Sequence, residues 1–423
     1  MRLTVRNVTD EPVAEVPLLL YRLLAVSRIS DGADRPLRFE QRVVGFADAP
    51  RLQVNHVRVT LDRALAPGED AALEIAYGGW LAGYVETGML YVKDRVAEEF
   101  TILRPDAFAY PVPGYPSWAS VRATGLPTYD YEARITVPAG QVVANGGSQV
   151  ARIEHDDRVT WVYRNIRPAW RMDFAVAPYG VLEKAGLRAY YLPGDSAGAA
   201  ALLEKAGRAR ALYTEWFGPL EHAGEFAVIE VPDGFGSQAD VTSILQTAPA
   251  FRDPARHDEL YHEVAHLWHL FGGPGEPRWE EGLAVFLQTL TQDALDGTAH
   301  RDSAMAAHID WALRWFAERP EWAATPMAQY GAAGLTGLSY RVGAMMFDVL
   351  HRVVGKERFN RIVGGYYRAY RSGGASTDAF VHYASRAAGH DLAPLFDDWL
   401  FTTRWYDLLR AGLTADALAD RYR

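Results

Sequence analysis

Along roughly the first 185 residues, apolar and polar positions alternate with a period of two, the pattern of strands that bury one face. Leu73, Ile75 and Tyr77 share a face, as do Tyr131, Ala133, Ile135 and Val137. Val159, Trp161 and Tyr163 form a third run, and Met172, Phe174 and Val176 a fourth. Between Arg51 and Asp62 the alternation changes parity, from Leu52 and Val54 to Val57, Val59 and Leu61, which predicts either a β-bulge or two short strands. Asn145-Gly146-Gly147 reads as a hairpin turn. The proline-rich stretch Tyr110–Pro116 cannot be a central strand and is expected as an ordered loop.

Beyond about Val181 the pattern changes to that of helices. Asp195 or Ser196 can cap an alanine-rich helix that stops at Gly218-Pro219. A short buried strand follows at Phe226–Val231, then helical patterns near 254–271, 278–294, 302–318, 339–354, 356–371 and 377–388. Several close on the right punctuation: Gly272-Gly273, Pro320, Gly355 and Gly389. The expectation is an α+β chain, with a β-sandwich-like domain over 1–183 and a mainly helical domain over 184–423.

Composition narrows the function. Among 423 residues, 43 Lys and Arg face 53 Asp and Glu, a net charge of −10, and no basic cluster stands out. Nucleic acid is therefore not an expected partner, because phosphate binding needs clustered cations. There is no cysteine, so a metal would have to sit on His, Asp or Glu. The charged amino terminus shows no secretory signal, and the apolar stretch Val16–Val26 is short and broken by Arg22. A soluble, cytoplasmic protein without direct membrane insertion is expected.

The chemistry concentrates in Leu260-Tyr261-His262-Glu263-Val264-Ala265-His266-Leu267-Trp268, which carries H-E-x-x-H on a helical pattern. Residues four apart on a helix share a face, so His262 and His266 can give imidazole nitrogens to one zinc ion, with Glu263 beside them as general base. Catalytic zinc needs a third protein ligand and an open position for water. Glu281, on a second helix beginning near Pro277, is the natural third ligand. Its neighbour Glu280 competes, but adjacent helical residues point about 100° apart, and acidic residues also favour a first helical turn for dipole reasons. His269 reads as a packing or outer-shell residue, while Trp268, Trp311, Trp315 and Phe316 read as core. Gly234-Phe235-Gly236-Ser237-Gln238-Ala239 matches a dinucleotide fingerprint. The β-branched run after it and Pro249 do not make the helix that fingerprint requires, so nucleotide binding is not expected.

H-E-V-A-H-L-W followed by W-E-E-G-L-A resembles the aminopeptidase N family of gluzincin zinc peptidases. Ser339-Tyr340-Arg341-Val342-Gly343 stands where that family has Y-x-K-G, with Val342 in place of its lysine. The strings V-P-A-G-Q-V-V-A-N-G-G and Leu395-Phe396-Asp397-Asp398-Trp399-Leu400 extend the likeness to both domains. The resemblance implies a thermolysin-like catalytic domain, one zinc ion, and an aminopeptidase acting on short peptides. Tyr340 would donate to the oxyanion, with Tyr330 as the nearest rival.

Two departures matter. Glu281 follows His266 by 15 positions, a shorter interval than the family's, which assigns a tight connection to Leu270–Glu276. Gly236-Ser237-Gln238-Ala239-Asp240 stands where the family has the amine-binding Gly-Ala-Met-Glu-Asn, so Ala239 replaces the anchoring glutamate. Gln238 or Asp240 is the candidate substitute, and Arg104 is a candidate to line the cleft and grip a substrate carboxylate. The family's larger members add a helical domain after the point where this sequence stops. An open cleft, or one covered by a second copy or a partner subunit, is expected. The rival functions are a zinc hydrolase of the same fold that is not an aminopeptidase, and a catalytically silent scaffold.

Overall fold

A computed structural model describes residues 1–83, 93–123, 129–169, 171–221, 225–270 and 276–423. They group into two units, Met1–Gly180 with Val231–Gly236 and Val181–Glu230 with Ser237–Arg423. The architecture is mixed α+β, sheet-rich first and mainly helical afterwards. Among the described residues no helix is long and apolar enough to cross a membrane.

The first unit is built of antiparallel sheets. Arg2–Arg6, Asp70–Gly79 and Leu24–Asp31 form one; Arg38–Phe46, Ala49–Leu65, Val13–Tyr21 and Val112–Pro113 form another. Ile29, Leu73 and Ile75 from the one and Val16, Leu18, Val57 and Val59 from the other make a single buried cluster, so the two sheets face each other. Two three-stranded sheets pair in the same way around Val137, Trp161, Tyr163, Val143 and Phe174.

The parity change is neither a bulge nor a break. Ala49–Leu65 is one strand, in unshifted register with its neighbour from Glu15↔Thr60 to Tyr21↔Val54. It is covered on opposite faces at its two ends. Leu52 and Val54 pack with Leu19, Tyr21 and Phe46, whereas Val57 and Val59 enter the sheet-to-sheet core. Asn55 sits at the change, buried, its Nδ2 donating to the carbonyls of Tyr21 and Leu24 at 2.9 and 2.7 Å. Asn145-Gly146-Gly147 turns the chain but makes no hairpin, because Val142–Ala144 and Ser148–His155 lie in different sheets. Asn145 Oδ1 accepts the Gly147 N–H, and a Cβ on Gly147 would lie 2.5 Å from the Arg164 carbonyl oxygen. The proline-rich stretch places only Val112–Pro113 in a sheet, as its edge strand, where a missing N–H does no harm.

In the second unit a five-stranded sheet runs in the order Gly180–Lys184, Leu187–Tyr191, Phe226–Val231, Ser243–Thr247, Gln238–Ala239. Its last strand pairs antiparallel with Ser243–Thr247, Ala239 opposite Ile244. The helix Ser196–Phe217 has Asp195 at its N-cap position, but that carboxylate bonds Arg252 instead of the helix N–H groups. The helix expected over 254–271 is cut short: a turn at Pro254–Arg256, the helix Glu259–Ala265, then a tight turn at His266–Trp268. Its expected glycine stop lies outside the described residues, as does most of the Leu270–Glu276 connection. The later helices fall close to expectation at Trp279–Asp296, Arg301–Glu318, Ser339–Val354, Lys356–Tyr370 and Thr377–Ala388.

One crossing positions the chemistry. A Cβ on Gly282 would lie 2.5 Å from Gly343 Cα and 2.6 Å from the Ser339 carbonyl oxygen. The helices Trp279–Asp296 and Ser339–Val354 therefore meet backbone to backbone, which only glycine at the contact permits. Glu281 and Tyr340 stand beside that contact.

Candidate active site

His262 and His266 leave the same face of the helix Glu259–Ala265 and its continuing turn, and their Nε2 atoms lie 3.1 Å apart. Glu281 reaches the same point from the first turn of its helix. Its Oε2 is 3.4 Å from His262 Nε2 and 3.2 Å from His266 Nε2. The three ligand atoms all lie within 4.8 Å of one another. Two imidazoles and a carboxylate from three protein positions are the donor set of a catalytic zinc site, so these residues fit the ion the sequence implies. Burial pushes the Glu281 carboxyl up, but His266, the hydrogen bonds from both histidines and Arg278 hold it well below the usual carboxylate range.

Arg278 went unnoticed in the sequence. It holds a left-handed backbone, φ 57°, at the N-cap position of the Glu281 helix, and its guanidinium grips the other Glu281 oxygen. Glu280 is not part of the group formed by His262, His266 and Glu281, and its Oε1 lies 3.8 Å from Arg278 Nε. It is 3% exposed, with its carboxyl pushed up to about 8 by burial.

Glu263 is buried beside the ligands. Burial, with Glu281 and Glu259 nearby, pushes its carboxyl up to about 7, against the opposing pull of His262 and a hydrogen bond from the Ala239 N–H. Tyr340 lays its ring parallel to that of His262, centroids 6.0 Å apart, and its hydroxyl bonds Glu281. Burial and that carboxylate raise its hydroxyl far above the ordinary tyrosine value. The rival Tyr330 is wholly buried in the helical core.

The Gly236–Asp240 segment has more structure than its composition suggests. Gln238–Ala239 is the edge strand, Ser237 Oγ accepts from Gln246 Nε2 at 3.0 Å, and the Ala239 N–H serves Glu263. The Asp240 N–H donates to the Ser243 carbonyl at 2.7 Å, which closes the turn between the two strands. Arg104 does not fit the role of gripping a substrate carboxylate. It is wholly buried in the first unit, where its Nε and Nη2 donate to Asp94 Oδ1 at 2.8 and 2.7 Å.

No protein-family model matches the sequence, and no curated protein is significantly similar to it. Solved structures do match the fold. An M1 zinc metallopeptidase from Deinococcus radiodurans superposes with a TM-score of 0.69 at 20% identity, covering 94% of this chain and 89% of that one. A mutant M1 zinc metallopeptidase from the same organism, bound to a Tyr-Ser-Ala substrate, gives 0.67 at 19% over 94% and 89%. A two-domain M1 zinc metallopeptidase mutant bound to L-arginine gives 0.68 at 19% over 94% and 88%. This chain has the two-domain fold of M1 zinc metallopeptidases.

Proposed function

We propose that this chain is a zinc-dependent peptidase, and that it acts as an aminopeptidase on short peptides. The observation that carries the reading is the convergence of His262, His266 and Glu281 on one point, with the buried Glu263 carboxyl beside it. His262, His266 and Glu281 would hold the zinc ion, which would supply an activated water molecule and a polarised carbonyl. Glu263 takes a proton from the attacking water and hands it to the leaving amine. Tyr340, whose hydroxyl bonds Glu281, would be the donor to the developing oxyanion, and losing such a donor costs about 3 kcal/mol of barrier. Arg278 keeps Glu281 in place from its far oxygen.

A second reading, a hydrolase of the same fold that does not require a free amine, is favoured by one observation. The side chain at 239 is a methyl group, which offers no acceptor to the free amine of a peptide. The two readings separate on aminoacyl-chromophore substrates assayed beside the same substrates with blocked amines. Selective cleavage of the free-amine forms supports the aminopeptidase. Equal cleavage of both supports the second reading, and cleavage of neither by zinc-loaded protein leaves a silent scaffold.

A further inference from the structure

We propose that His269 is a positioning residue that fixes the tautomer and ring plane of His266. The inference rests on the zinc reading above and adds a residue to it.

His266 turns its Nε2 toward His262 and Glu281, at 3.1 and 3.2 Å. An imidazole that offers the Nε2 lone pair to a cation carries its proton on Nδ1, and such ligands donate that N–H to a partner that holds the ring. The partner here is another histidine: His266 Nδ1 lies 3.1 Å from His269 Nδ1, with the rings nearly perpendicular at 87°. His269 is 7% exposed. To accept at Nδ1 it must keep its own proton on Nε2, and among the described residues that nitrogen meets no hydrogen-bond partner. A histidine placed for its own packing would have little reason to forgo a partner there. Its position makes sense as service to His266.

The backbone explains how the pair forms. The chain leaves the helix at Ala265 and tightens at His266–Trp268, with the His269 N–H donating to the His266 carbonyl at 3.0 Å. Three residues per turn bring positions three apart into line, so His269 falls directly against His266. Trp268 pins the turn from the other side, its Nε1 donating to the Gly218 carbonyl at 2.9 Å.

The test compares the full chain with His269→Phe and His269→Asn. Asparagine keeps an acceptor close to where the imidazole Nδ1 stood; phenylalanine keeps the bulk and removes the acceptor. Zinc affinity is measured by chelator competition, the His266 tautomer by long-range proton–nitrogen spectra of the zinc-loaded protein, and folding by thermal unfolding of the metal-free forms. The expected result is a 10–100-fold loss of zinc affinity in His269→Phe with a mixed His266 tautomer, and recovery of much of both in His269→Asn. Wild-type affinity and tautomer in a folded His269→Phe overturns the proposal. So does an equal loss in both variants with the tautomer unchanged, which is the mark of packing alone. If the phenylalanine variant does not fold, the tautomer in His269→Asn decides. Wild-type protein that binds no zinc overturns the zinc reading, and this proposal with it.

Discussion

Both units bury a cluster of charged side chains, and the clusters differ in where their lone pairs point. In the first unit Asp94, Asp106 and Asp173 surround Arg104 and Arg171. Arg104 donates twice to Asp94, and Arg171 bonds both Asp106 and Asp173. Each carboxylate there meets a guanidinium. In the second unit His262, His266 and Glu281 direct their ligand atoms at one another across 3.1 to 3.4 Å, and the nearby cation Arg278 reaches only the far oxygen of Glu281. Buried charge by itself therefore does not mark a site. Two imidazoles and a carboxylate converging on one point form a donor set that fits a divalent cation, which the guanidinium-paired carboxylates of the first unit do not.

The largest effect belongs to the second cluster. Glu263→Gln should cut turnover of a good peptide substrate by about 10²–10⁴-fold, the usual contribution of a positioned proton carrier, while zinc content stays at the wild-type level. Steady-state kinetics paired with metal analysis checks it, and turnover that survives the change removes Glu263 as the base. The counterpart in the first cluster is Arg104→Met. Leaving Asp94 buried without its partner should cost about 3–5 kcal/mol of stability by denaturant unfolding, with zinc affinity unchanged in the folded fraction. Zinc affinity falling in step with stability would erase the distinction between the two clusters.

A smaller effect tests how the second cluster is assembled. Gly282→Ala puts a methyl group into the backbone of the Tyr340 helix, so those helices must part. The expected cost is about 1–3 kcal/mol, together with weaker zinc binding as Glu281 moves. A variant that keeps both its unfolding temperature and its zinc affinity would show that the crossing does not set the ligand geometry.

These contrasts also explain what was legible in the sequence. His262, Glu263 and His266 were readable because their geometry is a local matter of helical spacing. Glu281 was named because its helix start follows closely, while the 100° between neighbours says only that one of Glu280 and Glu281 can face the histidines. The crossing of Gly282 and Gly343 was hidden, since it depends on two segments meeting across some sixty positions. Arg104 was misplaced for a related reason: nothing local announces that a buried arginine has its acid ten residues upstream. Ala49–Leu65 was misread because alternation assumes one buried face per strand, and this strand exchanges faces midway. His269 was read as a packing or outer-shell residue, but its contact with His266 Nδ1 depends on a helix tightening that spacing does not announce.

The smallest effect concerns a third way of burying an acid. Glu230, in the strand Phe226–Val231 of the second unit's sheet, lies 3.9 Å from the Arg252 guanidinium and is buried against Asp195. Burial and the neighbouring Asp195 push its carboxyl up to about 8, so near neutral pH it keeps its proton and shares it with Asp195. Its Oε2 also accepts the Leu192 N–H at 2.6 Å. The sign follows from the proton count. Between the unfolded value near 4.5 and the folded value near 8, the folded chain holds a proton the unfolded chain has lost, so stability from this group falls as pH rises through that window. Glu230→Gln keeps an acceptor for Leu192 and a donor for Asp195 while removing the titration. The variant should therefore melt above the wild type at pH 8, by about 2–4 °C, the shift that 1 kcal/mol makes in a unit the size of the second one, and the gap should close toward pH 5. Thermal unfolding across that range decides it. A gap independent of pH would mean that Glu230 is already ionised in the fold and belongs with the paired carboxylates of the first unit.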